Sequence, residues 1–126
     1  MRRKLLLIDD SSMIAAATRM LLRGTELELC AAQSGEDGLA QAESLRPDLV
    51  LLDVHMPGID GFETCRRLRA ESCGAQVPIV MASADIGERE RELGRAAGCT
   101  DFLQKPFDTQ GLLDLVARYL RDGVAA

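Results

Sequence analysis

Five short apolar runs alternate with five stretches of helical periodicity, and few folds accommodate that order. Residues 4–8, 26–32, 49–52, 77–82 and 102–103 read as strands. Ser11 or Ser12 caps a first helix whose apolar positions are Met13, Ala17, Met20 and Leu21 and which stops at Gly24. Ser34-Gly35-Glu36-Asp37 opens a second helix carrying Leu39, Ala42 and Leu45, ended by Pro47. Residues 48–53 form a nearly continuous apolar strand, the pattern of burial on both faces. Pro57-Gly58 marks a turn, and Asp60 caps a third helix with Phe62, Cys65 and Leu68 inward. Pro78 begins a strand ending at Ser83. Residues 87–97, rich in Glu and Arg, carry the weakest helical pattern. Asp108 caps the last helix, with Leu112, Val116, Tyr119 and Leu120 inward. Five βα units predict an α/β fold, a doubly wound five-stranded parallel sheet. At 126 residues the chain reads as one domain, 1–126 with a core of 4–121, able to bury roughly two-thirds of its unfolded surface.

Four of the strands run into polar residues: Asp9-Asp10, Asp53, Ser83 and Gln104-Lys105. In an open parallel sheet the carboxyl ends of the strands share one edge, where ligands bind at the topological switch. Three carboxylates brought together there would repel one another and take up protons. A divalent cation beside the acids, with a lysine nearby, resolves the conflict, and the same parts can hold and transfer a phosphoryl group. Asp9 and Asp10 also read as a helix-capping pair, and Ser83 as the start of a turn. Asp53 has no such structural role, because a carboxylate closing an all-apolar strand is costly unless paired or metal-bound. Of 15 basic residues only Lys4 and Lys105 are lysine, which suits a site needing a compact ammonium charge. Lys105 also precedes Pro106, a candidate for a cis bond at the strand exit.

The formal charge of −5 disfavours direct contact with nucleic acid. The local cluster Arg66, Arg67 and Arg69 reads as a solvated helix face or a docking surface for an acidic protein. No apolar run is long enough to span a bilayer. Arg2, Arg3 and Lys4 precede a short apolar stretch, but Asp9 and Asp10 interrupt any signal-peptide core, so a cytoplasmic location is expected. Cysteines 30, 65, 73 and 99 form no CxxC pair and no zinc-ligand spacing, and the lone His55 cannot complete one. They are expected to be reduced thiols.

The runs Leu7-Ile8-Asp9-Asp10-Ser11, Leu51-Leu52-Asp53-Val54-His55-Met56-Pro57-Gly58-Ile59-Asp60-Gly61, Pro78-Ile79-Val80-Met81-Ala82-Ser83-Ala84 and Phe102-Leu103-Gln104-Lys105-Pro106-Phe107 carry a resemblance. In order and spacing they resemble a response-regulator receiver domain of two-component signalling, chemotaxis-regulator-like, across the whole chain. The resemblance implies a flavodoxin-like (βα)5 fold with strand order 2-1-3-4-5. It implies that Asp53 is the nucleophile, taking a phosphoryl group from the phosphohistidine of a histidine kinase or phosphotransfer protein. Asp9, Asp10, Asp53 and the backbone carbonyl of His55 would hold Mg²⁺, while Lys105 and Ser83 would contact the phosphoryl oxygens. Ser83 and Phe102 would form the switch, and His55 and Asp85 would flank the phosphoryl group and tune its loss. Such a chain is a signalling switch that catalyses only its own phosphorylation and slow dephosphorylation, and that alters binding to a downstream effector. Ser83 stands where threonine is commoner, Phe102 where tyrosine is often found, and Ile59 where methionine or leucine is frequent.

One large subgroup of DNA-binding relatives dimerises through an array of opposite charges. Arg91, Asp101 and Arg118 match that array, but Ala97, Gly111 and Leu115 do not, so a monomer is expected when the chain is unphosphorylated. Residues 121–126 hold no effector domain, so the chain reads as a stand-alone regulator or as part of a larger protein. Three other readings stay open: a flavin-binding electron carrier, a phosphatase with an aspartate nucleophile, and a receiver reduced to a protein-interaction module. Against them stand the acidic Asp9-Asp10 pair where a flavin phosphate would lie, His55 where such a phosphatase places a second acid, and the complete five-residue set.

Overall fold

Strands that are apolar on both faces need cover on both sides, and the helices supply it. The computed structural model describes residues 3–120. The elements in chain order are β1 (Arg3–Ile8), α1 (Ser12–Leu21), β2 (Leu27–Ala32), α2 (Gly35–Leu45), β3 (Leu49–Asp53), α3 (Gly61–Ala70), β4 (Ile79–Ser83), α4 (Glu88–Ala97), β5 (Asp101–Gln104) and α5 (Thr109–Tyr119). A short 3₁₀ turn at Ser72–Gly74, which the sequence pattern did not suggest, follows α3. All pairings are parallel and the strand order is β2-β1-β3-β4-β5, as the resemblance implied. Arg2, the Cys73 side chain and residues 121–126 lie outside the described residues.

The two-residue period of a strand divides the core in two. Leu6, Ile8, Val50, Leu52, Ile79 and Met81 face α2, α3 and α4, packing with Ala42, Phe62, Cys65, Leu68 and Ala97. Leu5, Leu7, Leu49, Leu51, Val80 and Ala82 face α1 and α5, packing with Leu22, Leu112, Leu115 and Val116. Four helices start on side-chain caps. Ser11 Oγ accepts from Ile14 N–H at 3.2 Å, Ser34 Oγ from Asp37 N–H at 3.0 Å, and Asp60 Oδ1 from Glu63 N–H at 2.9 Å. Asp108 Oδ1 accepts from Gly111 N–H at 2.8 Å. Each such cap contributes about 1 kcal/mol. The weakly patterned segment is helical, as α4, with Glu90 Oε1 accepting from Gly87 N–H at 3.1 Å.

The structure sharpens two of the sequence readings. The inward face of α1 is Ile14, Ala15, Thr18, Leu21 and Leu22, whereas Met13 and Met20 are 80% and 67% exposed. Thr18 takes the buried place because its hydroxyl donates to Ile14 O at 2.7 Å, so no polar group is left unpaired there. A reading by hydrophobicity skips a threonine and slides to the neighbouring stripe. The arginine cluster on α3 also divides. Arg66 and Arg67 pair with Glu63 at 3.0 and 2.9 Å on the surface. Arg69 instead folds over the end of α3, donating to Gly98 O, Gly74 O and Val77 O at 2.8, 2.8 and 2.6 Å and to Thr100 Oγ1 at 3.1 Å. It ties three chain segments together, and most of its N–H donors are engaged within the chain. Among the described residues no helix is long and apolar enough to cross a membrane.

The chain turns tightly after β3. Gly58 sits at φ +79°, and Gly61 N–H donates to Val54 O at 2.9 Å. A β-carbon on Gly61 would lie against the carbonyl oxygen of Asp53 and 2.8 Å from Val54 Cα, both rigid backbone. We expect Gly61→Ala to lower unfolding free energy by about 1–3 kcal/mol, the usual scale of overpacking. Urea denaturation checks this, and an unchanged midpoint would remove the close approach from the account.

Candidate functional site

The strand order makes β1 and β3 neighbours, so Asp9, just past β1, meets Asp53, the last residue of β3. Asp9 N–H remains tied to Ala32 O at 3.0 Å, and Val54 N–H to Ala82 O at 3.2 Å, so both carboxylates leave from backbone anchored to the sheet. Lys105 follows β5, two strands away from β3, and its N–H donates to Ser83 O at 2.9 Å. Strands lie about 4.8 Å apart, so only a long side chain spans the gap. Lys105 Nζ reaches Asp9 Oδ2 at 2.8 Å and Asp53 Oδ1 at 3.2 Å. The Lys105–Pro106 bond is cis, as the sequence suggested. Asp10 is exposed at the rim, and ligand atoms of Asp9, Asp10 and Asp53 all lie within 4.8 Å of one another.

Asp9 and Asp53 are 3% and 7% exposed, so their charges are poorly hydrated. Burial, and then the Asp9 carboxylate beside it, push the Asp53 carboxyl up from the ordinary carboxylate range. Lys105 and a backbone hydrogen bond from His55 offset part of that rise. Burial works to lower the Lys105 ammonium, but its bonds to Asp9 and Asp53 outweigh that and raise it, so the lysine stays charged. Three acids with two of them buried, all oxygen donors, suit a hard divalent cation.

The remaining predicted residues surround this centre without joining it. Ser83, 2% exposed, turns its hydroxyl to the next residues: Oγ accepts from Asp85 N–H at 3.1 Å and donates to Asp85 O at 3.2 Å. The Asp85 and His55 side chains are exposed on either side of the cleft. The Phe102 ring packs against Gly94 of α4, with the Arg91 guanidinium over it at 5.4 Å from the ring centre. Gln104 went unremarked in the sequence beyond its place at a strand end. Its amide donates to Ala84 O at 2.5 Å and Lys105 O at 3.2 Å. The described cysteines, Cys30, Cys65 and Cys99, are free thiols, and burial pushes Cys65 up to about 11, which makes it a core residue without nucleophilic character.

A raised carboxyl has a stability consequence with a definite sign. Asp53 binds its proton more tightly in the folded chain than in the unfolded one, so stability falls as pH rises from the ordinary carboxylate value through the folded value. Above that window the charged form opposes folding. We expect Asp53→Asn, without divalent cations at pH 7, to raise unfolding free energy. The gain should vanish at acid pH, where both states carry a neutral Asp53. Urea midpoints across pH check it; a variant less stable at pH 7 would contradict the sign.

Known proteins resemble this chain in sequence and fold. The family model "Response regulator receiver domain" matches residues 5–117. The DNA-binding response regulator MtrA of Mycolicibacterium paratuberculosis is 38% identical over 121 residues, which cover 96% of this chain and 52% of that protein. Transcriptional regulatory protein AfsQ1 of Streptomyces coelicolor is 39% identical over 119 residues, 94% of this chain and 52% of its own length. The chain therefore spans about half the length of these curated relatives. Among solved structures, the chemotaxis protein CheY4 of Vibrio cholerae superposes with a TM-score of 0.90 at 33% identity, covering 95% of this chain and all of that one. The receiver domain of sensor histidine kinase PA1611 from Pseudomonas aeruginosa, solved with a magnesium ion coordinated in its active-site cleft, gives a TM-score of 0.88 at 28% identity over 97% of this chain and all of that one. With its family match, its relatives and its sheet order in agreement, this chain belongs to the response regulator receiver domains of two-component signalling.

Proposed function

We propose that the chain accepts a phosphoryl group on Asp53 from a phosphohistidine and that the resulting aspartyl phosphate switches partner binding. The observation that supports this most is Lys105 Nζ lying within hydrogen-bond reach of both Asp9 and Asp53 beside a cluster of three carboxylates. An Asp53 carboxylate oxygen bonds to phosphorus as the phosphorus–nitrogen bond of the donor breaks, and the imidazole leaves with the electron pair. Asp9, Asp10, Asp53 and the His55 carbonyl would hold Mg²⁺, which when bound supplies positive charge to the phosphoryl oxygens. Lys105 turns part of its hydrogen bonding to a phosphoryl oxygen, so the charge it balances in the resting site becomes the charge it balances in the product. Ser83 releases Asp85 and donates to another phosphoryl oxygen, and Phe102 follows into the space vacated. His55 and Asp85, exposed at the mouth, control the approach of the water that removes the group. The chain is thus one receiver unit over 1–126, with its core in 4–121. It catalyses only its own phosphorylation and slow dephosphorylation, and it works in the cytoplasm.

The donor docks beside α1 in this reading. Met13, Ala16, Ala17 and Met20 form an exposed apolar stripe at helical spacing, and α1 begins two residues after Asp10. A histidine kinase or phosphotransfer protein packing on it brings its histidine over Asp53. The charge-paired dimer is disfavoured. Arg118 and Tyr119 already occupy the Asp101 carboxylate at 2.8 and 2.7 Å, Arg91 covers Phe102, and Leu115 lies in the core. The chain is therefore monomeric when unphosphorylated, hands its signal to a separate effector protein or domain, and with a net charge of −5 does not itself bind nucleic acid.

Acetyl phosphate with Mg²⁺ should add one phosphoryl group by intact-mass spectrometry, and none to Asp53→Asn; equal labelling of that variant would sink the assignment. Asp10→Asn should bind Mg²⁺ more weakly in a metal titration, and unchanged affinity would take Asp10 out of the metal site. Met13→Asp combined with Met20→Asp should slow transfer from a phosphorylated kinase while leaving acetyl phosphate labelling unchanged. Equal slowing from both donors would argue against α1 as the docking face.

A further inference from the structure

Past Ser83 the chain leaves β4, and Ala84 and Asp85 are exposed. The peptide group joining them is nevertheless held at both ends. Its carbonyl, Ala84 O, accepts from Gln104 Nε2 at 2.5 Å, and its N–H, on Asp85, donates to Ser83 Oγ at 3.1 Å. A peptide unit is planar, with its C=O and N–H pointing in opposite directions, so it turns as one body. The N–H cannot swing off the serine hydroxyl without moving the carbonyl that Gln104 holds. Gln104 is itself well placed for this. It pairs with Ser83 in the β4–β5 register, and Nε2 also donates to Lys105 O at 3.2 Å, so the amide bridges from its own strand to the loop beyond β4.

We propose that Gln104 is a positioning residue for phosphoryl acceptance: by clamping the Ala84–Asp85 peptide it keeps the Ser83 hydroxyl on Asp85 and away from Asp53, and so sets how readily the site takes a phosphoryl group. The clamp is read from the contacts alone, while its consequence for phosphorylation rests on the function proposed above. Ser83 Oγ accepts from the Asp85 N–H and donates to the Asp85 O; to donate to an anion on Asp53 it must give up the Asp85 O, and the clamped N–H resists the accompanying movement of Oγ. A glutamine at a strand end is exposed and mobile by habit, so the bond it makes is modest in strength. That is the range in which a residue tunes an equilibrium without locking it.

The test uses Gln104→Met, which keeps length and loses the donor, and Gln104→Glu, which places an acceptor opposite the carbonyl. In the anion-free protein both should speed hydrogen exchange of the Asp85 amide measured by NMR, with the thermal midpoint unchanged. Gln104→Met should bind beryllofluoride, a phosphoryl mimic, about threefold to tenfold more tightly in the presence of Mg²⁺. That gain should disappear in a Ser83→Ala background, because the clamp acts through the serine. An unchanged Asp85 amide, or a gain that persists without the Ser83 hydroxyl, would overturn the proposal. Should the Asp85 amide respond while even the wild-type chain fails to bind beryllofluoride, the clamp stands and the phosphoryl-acceptor reading falls.

Discussion

The ammonium group of Lys105 is the interaction on which this molecule depends. Two carboxylates, Asp9 and Asp53, are buried at the ends of adjacent strands, where the Asp9 charge raises the cost of ionising Asp53. One lysine, arriving from the far side of the sheet, bonds both. A pair of buried acids held by a single cation is not a stability device, since apolar residues would fill the same space at lower cost. The arrangement is better understood as a site left short of positive charge, a deficit that a divalent cation can relieve.

The sheet makes that arrangement possible by giving the acids no freedom to separate. Leu5–Ile8 and Leu49–Leu52 are buried on both faces, between α1 and α5 on one side and α2, α3 and α4 on the other. Their backbones are fixed in register, Leu5 with Leu49 through Ile8 with Leu52. The chain beyond β3 is pinned as closely, because Gly61 brings α3 against the Asp53 carbonyl with no space for a side chain. Rigid strands therefore present the Asp9 and Asp53 carboxylates. The loop after β4 is held instead by the Ser83 and Gln104 hydrogen bonds.

Side chains that an output surface would use are mostly engaged inside the chain. Asp101 is held below the ordinary carboxylate range although its partial burial works the other way, because Tyr119 O–H, its neighbour's backbone N–H and Arg118 all bond it. Arg91 lies over Phe102, and the ring in turn fills the space left by Gly94. Motion of Phe102 would thus be felt on α4 through Arg91 and Gly94, a route by which the proposed phosphoryl site would reach the surface of that helix.

The amino-acid order by itself determined the alternation of strands and helices, because apolar runs of two periods and capping residues at Ser11, Ser34, Asp60 and Asp108 are local signals that the backbone obeys locally. It also marked Asp9, Asp53, Ser83 and Lys105, since a polar residue closing an apolar strand has few structural reasons to be there. The strand order came through resemblance and not through any property of a single segment. Only the tertiary structure decided which stripe of α1 faces inward, because Thr18 can be buried once its hydroxyl finds Ile14 O. It alone decided that Arg69 ties three segments together, that Leu115 belongs to the core, and that Ser83 rests on Asp85 with Gln104 holding the same peptide group. Each of these turns on which residues distant in sequence stand within hydrogen-bond or packing distance. Local periodicity carries no information about such distances, because they are set by how the helices close over the sheet.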